Sequence, residues 1–118
     1  MTPEEAGRTL AAISGSADLT LFAHYDTDHV GHRGDLAAAV EVLERVDAFL
    51  GGLAAALGPG TLLVVASDHG NVEDVTAGHT RNPTPVIALG PGSGAVAARV
   101  RALTDVAPAI LALLGVAP

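Results

Sequence analysis

Hydrophobic and polar positions alternate along this chain in rhythms that change from segment to segment. The opening "TPEEAGRTLAAIS" (2–14) predicts a helix, with Thr2 at the N-cap, Pro3 at the first helical position and Glu5 completing a capping box. "DLTLFAHY" (Asp18 to Tyr25) is an apolar run broken by one Thr, and predicts a largely buried strand. From Asp35 to Leu57 the rhythm becomes helical. Leu36, Val40, Leu43, Leu50 and Leu57 lie on one stripe, with Glu41, Glu44 and Arg45 largely off it. "GPG" (58–60) stops that helix. "TLLVVAS" (61–67) predicts a second buried strand, and a loop carrying Glu73, Asp74, His79 and Arg81 leads to a third, "TPVIALG" (84–90). After the turn "GPGSG", "TDVAPAILALLG" predicts a closing helix with Thr104 at the N-cap and Gly115 just past its end.

Strand, helix, strand, loop, strand, helix is the alternation of an α/β protein with a parallel or mixed sheet and helices on both faces. In such sheets function gathers at the carboxyl ends of the strands. His24, Asp26 and Asp28 follow the first predicted strand, and Asp68 and His69 follow the second. With 118 residues the chain has room for one domain, and 49% hydrophobic residues argue against disorder. The net charge of −7, with Arg as the sole basic residue type, is a poor match to nucleic acid or to an anionic membrane surface. The absence of cysteine excludes disulfides and thiolate metal ligands. No apolar run reaches the ~20 residues of a membrane span. "MTPEEAG" lacks the basic and apolar regions of a signal peptide, so a cytoplasmic setting is expected.

The stretch "HYDTDHVGHRGD" (24–35) concentrates three histidines and three aspartates. Polar loops collect such residues by chance, and His24 and His29 fit that plain explanation. Two patterns are more specific. In Asp28-x-x-x-His32 the intervening Gly31 allows a tight fold that lets both side chains converge. In "SDHGN" the adjacent Asp68 and His69 could reach one ion only where the strand gives way to a turn, which Gly70 supplies. Carboxylate and imidazole donors without thiolate suit Mn²⁺, Zn²⁺ or Fe²⁺. Asp47 falls on the apolar stripe, either as an aspartate at its edge reaching solvent or as an acceptor orienting a metal-bound histidine. Arg33 and Arg81 flank the cluster and could hold a phosphate bidentately.

The segments "LTLFAHYDTDHVGHRGD", "LLVVASDHGNVED", "GHTRNPTPVIALG" and "LTDVAPAILALLG" occur in that order. Together they resemble the metalloenzyme domain of the alkaline phosphatase superfamily, in the branch of cofactor-independent phosphoglycerate mutase and phosphopentomutase. The resemblance covers roughly residues 18 to 115. It implies part of a three-layer α/β/α domain with a mainly parallel sheet, incomplete here because the chain corresponds to the C-terminal portion. It also implies two divalent metal ions, Mn²⁺ first and Zn²⁺ as the alternative. Asp28, His32 and His79 would ligate one ion, and Asp68 and His69 the other. His24, Asp26 and His29 match no ligand in the pattern. A further Asp ligand and a Ser or Thr nucleophile belong to a missing N-terminal segment of the same domain, and Ser67 does not replace the nucleophile. The cap domain is absent too, and "NPTP" (82–85) stands where the mutases usually have "NPVP".

The implied function is metal-dependent phosphoryl transfer or phosphate-ester hydrolysis on a phosphorylated small molecule, with the isolated chain inactive or nearly so. Mutase, phosphatase, phosphodiesterase and phosphonate- or sulfate-ester hydrolase all fit, because the absent cap and loops choose the substrate. The alternative is a non-catalytic remnant that binds a metal or a partner. An unfinished sheet edge would let it form a homo-oligomer.

Overall fold

The computed structural model describes residues 1–116. In chain order the elements are α1 (Pro3–Ser14), α2 (Asp26–Arg33), α3 (Leu36–Ala56), β1 (Leu63–Ala66), β2 (Val86–Leu89), α4 (Ser93–Arg99), a 3₁₀ turn (Leu103–Asp105) and α5 (Val106–Leu113). They form two compact units. The first comprises Met1–Leu57 and His69–Pro83; the second comprises Gly58–Asp68 and the chain from Thr84 onward. No helix among the described residues is long and apolar enough to cross a membrane.

In the first unit α1 begins as its sequence requires. Thr2 accepts from the Glu5 backbone at 3.2 Å, and the Glu5 carboxylate accepts from the Thr2 backbone at 2.7 Å. The helix then packs against α3 through glycine. A Cβ on Gly7 would strike the Phe49 carbonyl and the Leu53 nitrogen, and one on Gly52 would strike the Glu4 backbone. The two helix backbones therefore touch where neither carries a side chain. This decides which face of α3 is buried. Ala39, Val42, Gly52 and Leu53 point inward, whereas Leu36, Val40 and Leu43 of the expected stripe are exposed, Leu36 at 67%. α3 is apolar on more than one side, so its hydrophobic rhythm could not choose between them.

The run 18–25 belongs to no strand. A strand exists only with a ladder partner, and no other described segment supplies one. Leu21 is 90% exposed; Phe22 stacks on Phe49 with ring centroids 5.1 Å apart.

α2 replaces an expected loop. The segment "DTDHVGHR" has one large apolar residue, Val30, and so no readable periodicity. Aspartates in its first turn and His32 and Arg33 in its last complement the helix dipole. Gly34 ends it in the left-handed conformation at φ 70°. Val30 is buried with Ala39 and Val42, and Val72 and Val75 pack on that cluster from the 69–83 segment. Asp35 caps α3, its carboxylate accepting from the Ala38 backbone at 3.1 Å.

In the second unit β1 and β2 pair antiparallel, with Leu63 opposite Leu89 and Ala66 opposite Val86. The expectation of a mainly parallel sheet does not hold for this pair. The connection between the two strands contains no helix, and a parallel return needs a crossover. α4, whose first two residues lie in the expected turn "GPGSG" (90–94), follows Gly92 at φ 88°. α5 starts at Val106, after Thr104. Asp105 instead accepts from the Arg101 and Ala102 backbones, both at 2.9 Å, and so shapes the preceding turn. Gly115, at φ 71°, follows the last turn as expected.

The glycine contact between α1 and α3 leads to a test by urea unfolding. Gly7→Ala and Gly52→Ala should each destabilise by about 1–3 kcal/mol through overpacking. A Cβ on Gly51 would meet nothing within 4 Å. Gly51→Ala should therefore stabilise by up to about 1 kcal/mol through helix propensity.

Candidate metal centre

Asp28 and His32 stand four residues apart on α2, a spacing that places both on one helix face. Helical geometry thus makes them converge, and Gly31 has a different role from the flexible one expected. A Cβ at Gly31 would overlap the Asn71 side chain. The missing side chain lets the 69–83 segment lie directly against α2.

That segment is tied by its own bonds. Gly70 and Thr80 form an antiparallel bridge, with the Thr80 N–H donating to the Gly70 carbonyl at 2.8 Å. Glu73 sits inside the loop as a common acceptor. It takes the Thr80 hydroxyl, the Asn82 amide at 3.1 Å and the Asn71 backbone N–H at 2.6 Å. These donors, the Thr80 hydroxyl foremost, lower its pKa from the ordinary 4.5 to about 2. Asp74 makes a smaller turn, accepting from the backbone and hydroxyl of Thr76 at 3.0 and 2.6 Å. The bridge sets His69 and His79 side by side, with ring centroids 3.9 Å apart.

The two halves meet at Asp28. Its Oδ1 lies 3.2 Å from His79 Nε2, 3.4 Å from His32 Nε2 and 3.8 Å from His69 Nε2. His32 Nε2 and His79 Nε2 are 3.0 Å apart. Asn71 is 4% exposed and donates its amide to Asp28 Oδ1 at 2.7 Å and to the Asp28 carbonyl at 3.1 Å. The Asn71 amide above all, then the positive charge of His32 and the bond from His79, holds the Asp28 carboxyl below the usual range despite some desolvation.

The structure thus brings together Asp28, His32 and His79, the residues expected at one ion, and adds His69, expected at the other. Asp28, His69 and His79 offer donor atoms all within 4.8 Å of one another. Asp68 belongs to the second unit and is exposed. Arg33 and Arg81 are exposed, and Asp47 is exposed on α3 with no bond to the cluster. His24 and Asp26 lie 3.9 Å apart, with Arg45 4.0 Å from the same carboxylate. Two residues that matter here, Asn71 and Glu73, lie in "DHGNVE" (68–73), where the sequence alone suggests no role for them. The motif's own polar positions were the available signal.

Donors bound at 2.0–2.1 Å around a tetrahedral ion sit about 3.3 Å from one another. Separations of 3.0, 3.2 and 3.4 Å bracket that value, and the 3.8 Å approach of His69 lies just outside it. Asp28, His32 and His79 supply one carboxylate and two imidazoles at that spacing, a donor set for a borderline divalent ion, with His69 beside it. The residues fit a metal.

The arrangement is compatible with a metal site, and the family of the chain follows from comparison with known proteins. Residues 3–118 match the Metalloenzyme superfamily, and the chain belongs to that family. It is similar to the 2,3-bisphosphoglycerate-independent phosphoglycerate mutase of Ruegeria pomeroyi, 40% identical over 96% of this chain and 24% of the relative. It is likewise similar to the enzymes of that name from Roseobacter denitrificans, 42% identical over 90% of this chain and 23% of the relative, and Halobacterium salinarum, 39% identical over 97% and 24%. The chain spans about a quarter of the length of these relatives. No solved structure matches it.

The depressed pKa of Glu73 has a definite sign. Its folded value of about 2 lies below the ordinary 4.5, so its stabilisation is present above pH 4.5 and is lost as pH falls toward 2. Glu73→Gln should be less stable than the parent at pH 7, with the gap closing toward pH 2. Thermal melts in chelator across that range check this, and a constant gap would refute it.

Proposed function

We propose that this chain contributes to a two-metal centre that transfers or hydrolyses phosphate esters, as part of a phosphoglycerate-mutase-like enzyme. The observation that carries the reading is the convergence of three imidazole Nε2 atoms on Asp28 Oδ1 at 3.2–3.8 Å. Asp28, His32 and His79 would hold one ion. Asp68 and His69, adjacent in sequence, would serve the other, by the family pattern. Two-metal centres place their ions ~3.5–4 Å apart, so a ligand of one ion is expected near the ligands of the other, as His69 is. The oxygen and nitrogen donors suit Mn²⁺, with Zn²⁺ as the alternative. When bound, the metals would supply positive charge that stabilises an in-line displacement at phosphorus.

The chain's own residues divide the remaining work. Asp28 provides the negative charge at the centre of the cluster, and Asn71 restrains it. The Glu73-centred loop keeps His69 and His79 beside each other. Arg33 and Arg81, exposed near the ends of α2 and of the loop, would receive the substrate's phosphate. The nucleophile and the remaining Asp ligand would come from polypeptide outside these residues. In the complete domain the run 18–25 would gain partners within a mainly parallel, three-layer sheet. The exposure of Leu19, Leu21 and Phe22 supports a second reading, a non-catalytic domain that binds metal and pairs with a partner or a second copy through that run.

Metal should stabilise the protein, since a ligand at 100 times its Kd adds about 2.7 kcal/mol. Melts with Mn²⁺ or Zn²⁺ should show a higher Tm, and Asp28→Ala should abolish the shift. Absence of any shift in the parent at saturating metal, with no bound metal by elemental analysis, would overturn the metal centre.

Activity separates the two readings. With an aryl phosphate and Mn²⁺, the 118-residue protein should turn over slowly or not at all. A polypeptide extended upstream to include a nucleophile should turn over readily. Equal rates from both lengths, abolished by Asp68→Ala, would show that the nucleophile is not where we place it.

A further inference from the structure

Asn71 is nearly as buried as any residue in the first unit, yet it is polar and its side-chain oxygen has no hydrogen-bond partner. An unsatisfied buried acceptor costs on the order of 1–3 kcal/mol. A residue serving only to fill space between α2 and the loop would avoid that cost by being apolar. The explanation lies with the amide nitrogen. Both groups it touches, the Asp28 carboxylate and the Asp28 main-chain carbonyl, are acceptors only, so the donor end must face them. Two bonds to one residue constrain its backbone and its side chain together. An aspartate in the first turn of a helix would otherwise rotate among several rotamers. Here its Oδ1 is held toward His32, His69 and His79. Gly31 completes the device, because a side chain there would occupy the volume of the Asn71 amide.

We infer that Asn71, seated against Gly31, is a positioning residue that locks the Asp28 carboxylate in its metal-binding orientation. The inference rests on the metal-centre reading proposed above. It predicts that affinity for metal falls when Asn71 is altered even though every ligand remains. Partners that orient metal ligands typically contribute 10–100-fold to affinity.

The test measures Mn²⁺ binding to the 118-residue protein by the loss of the free-ion electron paramagnetic resonance signal. Co²⁺ absorption serves as a second readout of coordination geometry. Far-UV circular dichroism in chelator gives the folded fraction to which each Kd is referred. Asn71→Ala should weaken Mn²⁺ binding 10–100-fold per folded molecule and alter the Co²⁺ spectrum. Asn71→Asp keeps the shape but replaces the donor with a like charge, and should weaken binding at least as much. Gly31→Ala keeps Asn71 and all the ligands, and should weaken binding by displacing the amide. Wild-type affinity in the folded fraction of Asn71→Ala or Asn71→Asp would overturn the positioning role. So would loss of the metal-free fold in all three variants, which would make the contact purely structural. If the parent itself binds neither Mn²⁺ nor Co²⁺, the metal-centre reading fails first, and the inference falls with it. That result is distinct from one in which the parent and Asn71→Ala bind equally well.

Discussion

The close approach of the 69–83 segment to α2 is the constraint on which the first unit's arrangement of functional groups depends. One half of the candidate centre sits at positions 28 and 32, and the other at positions 69 and 79. The bonds that join them cross 43 to 51 residues of chain. Charges placed to suit the helix dipole favour α2 locally, and the Glu73 network can close the loop, but neither brings the halves together. Their meeting requires burial of Val30, Val72 and Val75 in one small apolar cluster and a bare backbone at Gly31. The apolar contact supplies attraction without direction; the absent side chain and the Asn71 amide set the distance and the angle.

Glycine has the same function elsewhere in this unit. Gly7 and Gly52 let α1 and α3 meet backbone to backbone, and Gly70 leaves room for the Thr80 hydroxyl and the Glu73 carboxylate. The unit is assembled less by large interlocking side chains than by places where side chains are missing. Its buried hydrophobic residues are accordingly small, mainly Ala and Val with Leu53. This also accounts for the stripe of α3 that faces solvent: the helix turns inward the face on which Gly52 lets the α1 backbone approach and Ala39, Val42 and Leu53 are buried.

Much of this was legible in the sequence where the signal is local. The capping box at Thr2 and Glu5 and the start of α3 at Asp35 depend on neighbours within a few residues, and the apolar runs of β1 and β2 find their ladder in each other. What was not legible depended on distant partners. The run 18–25 has the composition of a strand, but composition supplies no ladder. Helix α2 has too few apolar residues to reveal a period, and it is held by groups from the 69–83 segment. For the candidate centre, the family resemblance implied Asp28, His32 and His79 together, and the fold brings these three side chains close to one another. Residue types and motif order could not point to Asn71, whose role is to hold another residue still. Nor could they place His69, whose approach to Asp28 is set by the bridge between Gly70 and Thr80.

The open run that carries Leu19, Leu21 and Phe22 also bears on how the protein behaves at high concentration. Between Asp18 and His24 it presents five consecutive uncharged, largely apolar residues without Pro or Gly, a composition suited to intermolecular strand pairing. The main opposing force is mutual repulsion between molecules that each carry a net charge of −7. That repulsion acts over a Debye length of only about 8 Å at physiological ionic strength, and it vanishes as pH approaches the isoelectric point near 4.9. Colloidal stability therefore depends on salt and pH. Low salt and neutral or higher pH keep the molecules apart, while added salt or mild acid removes the barrier between exposed runs.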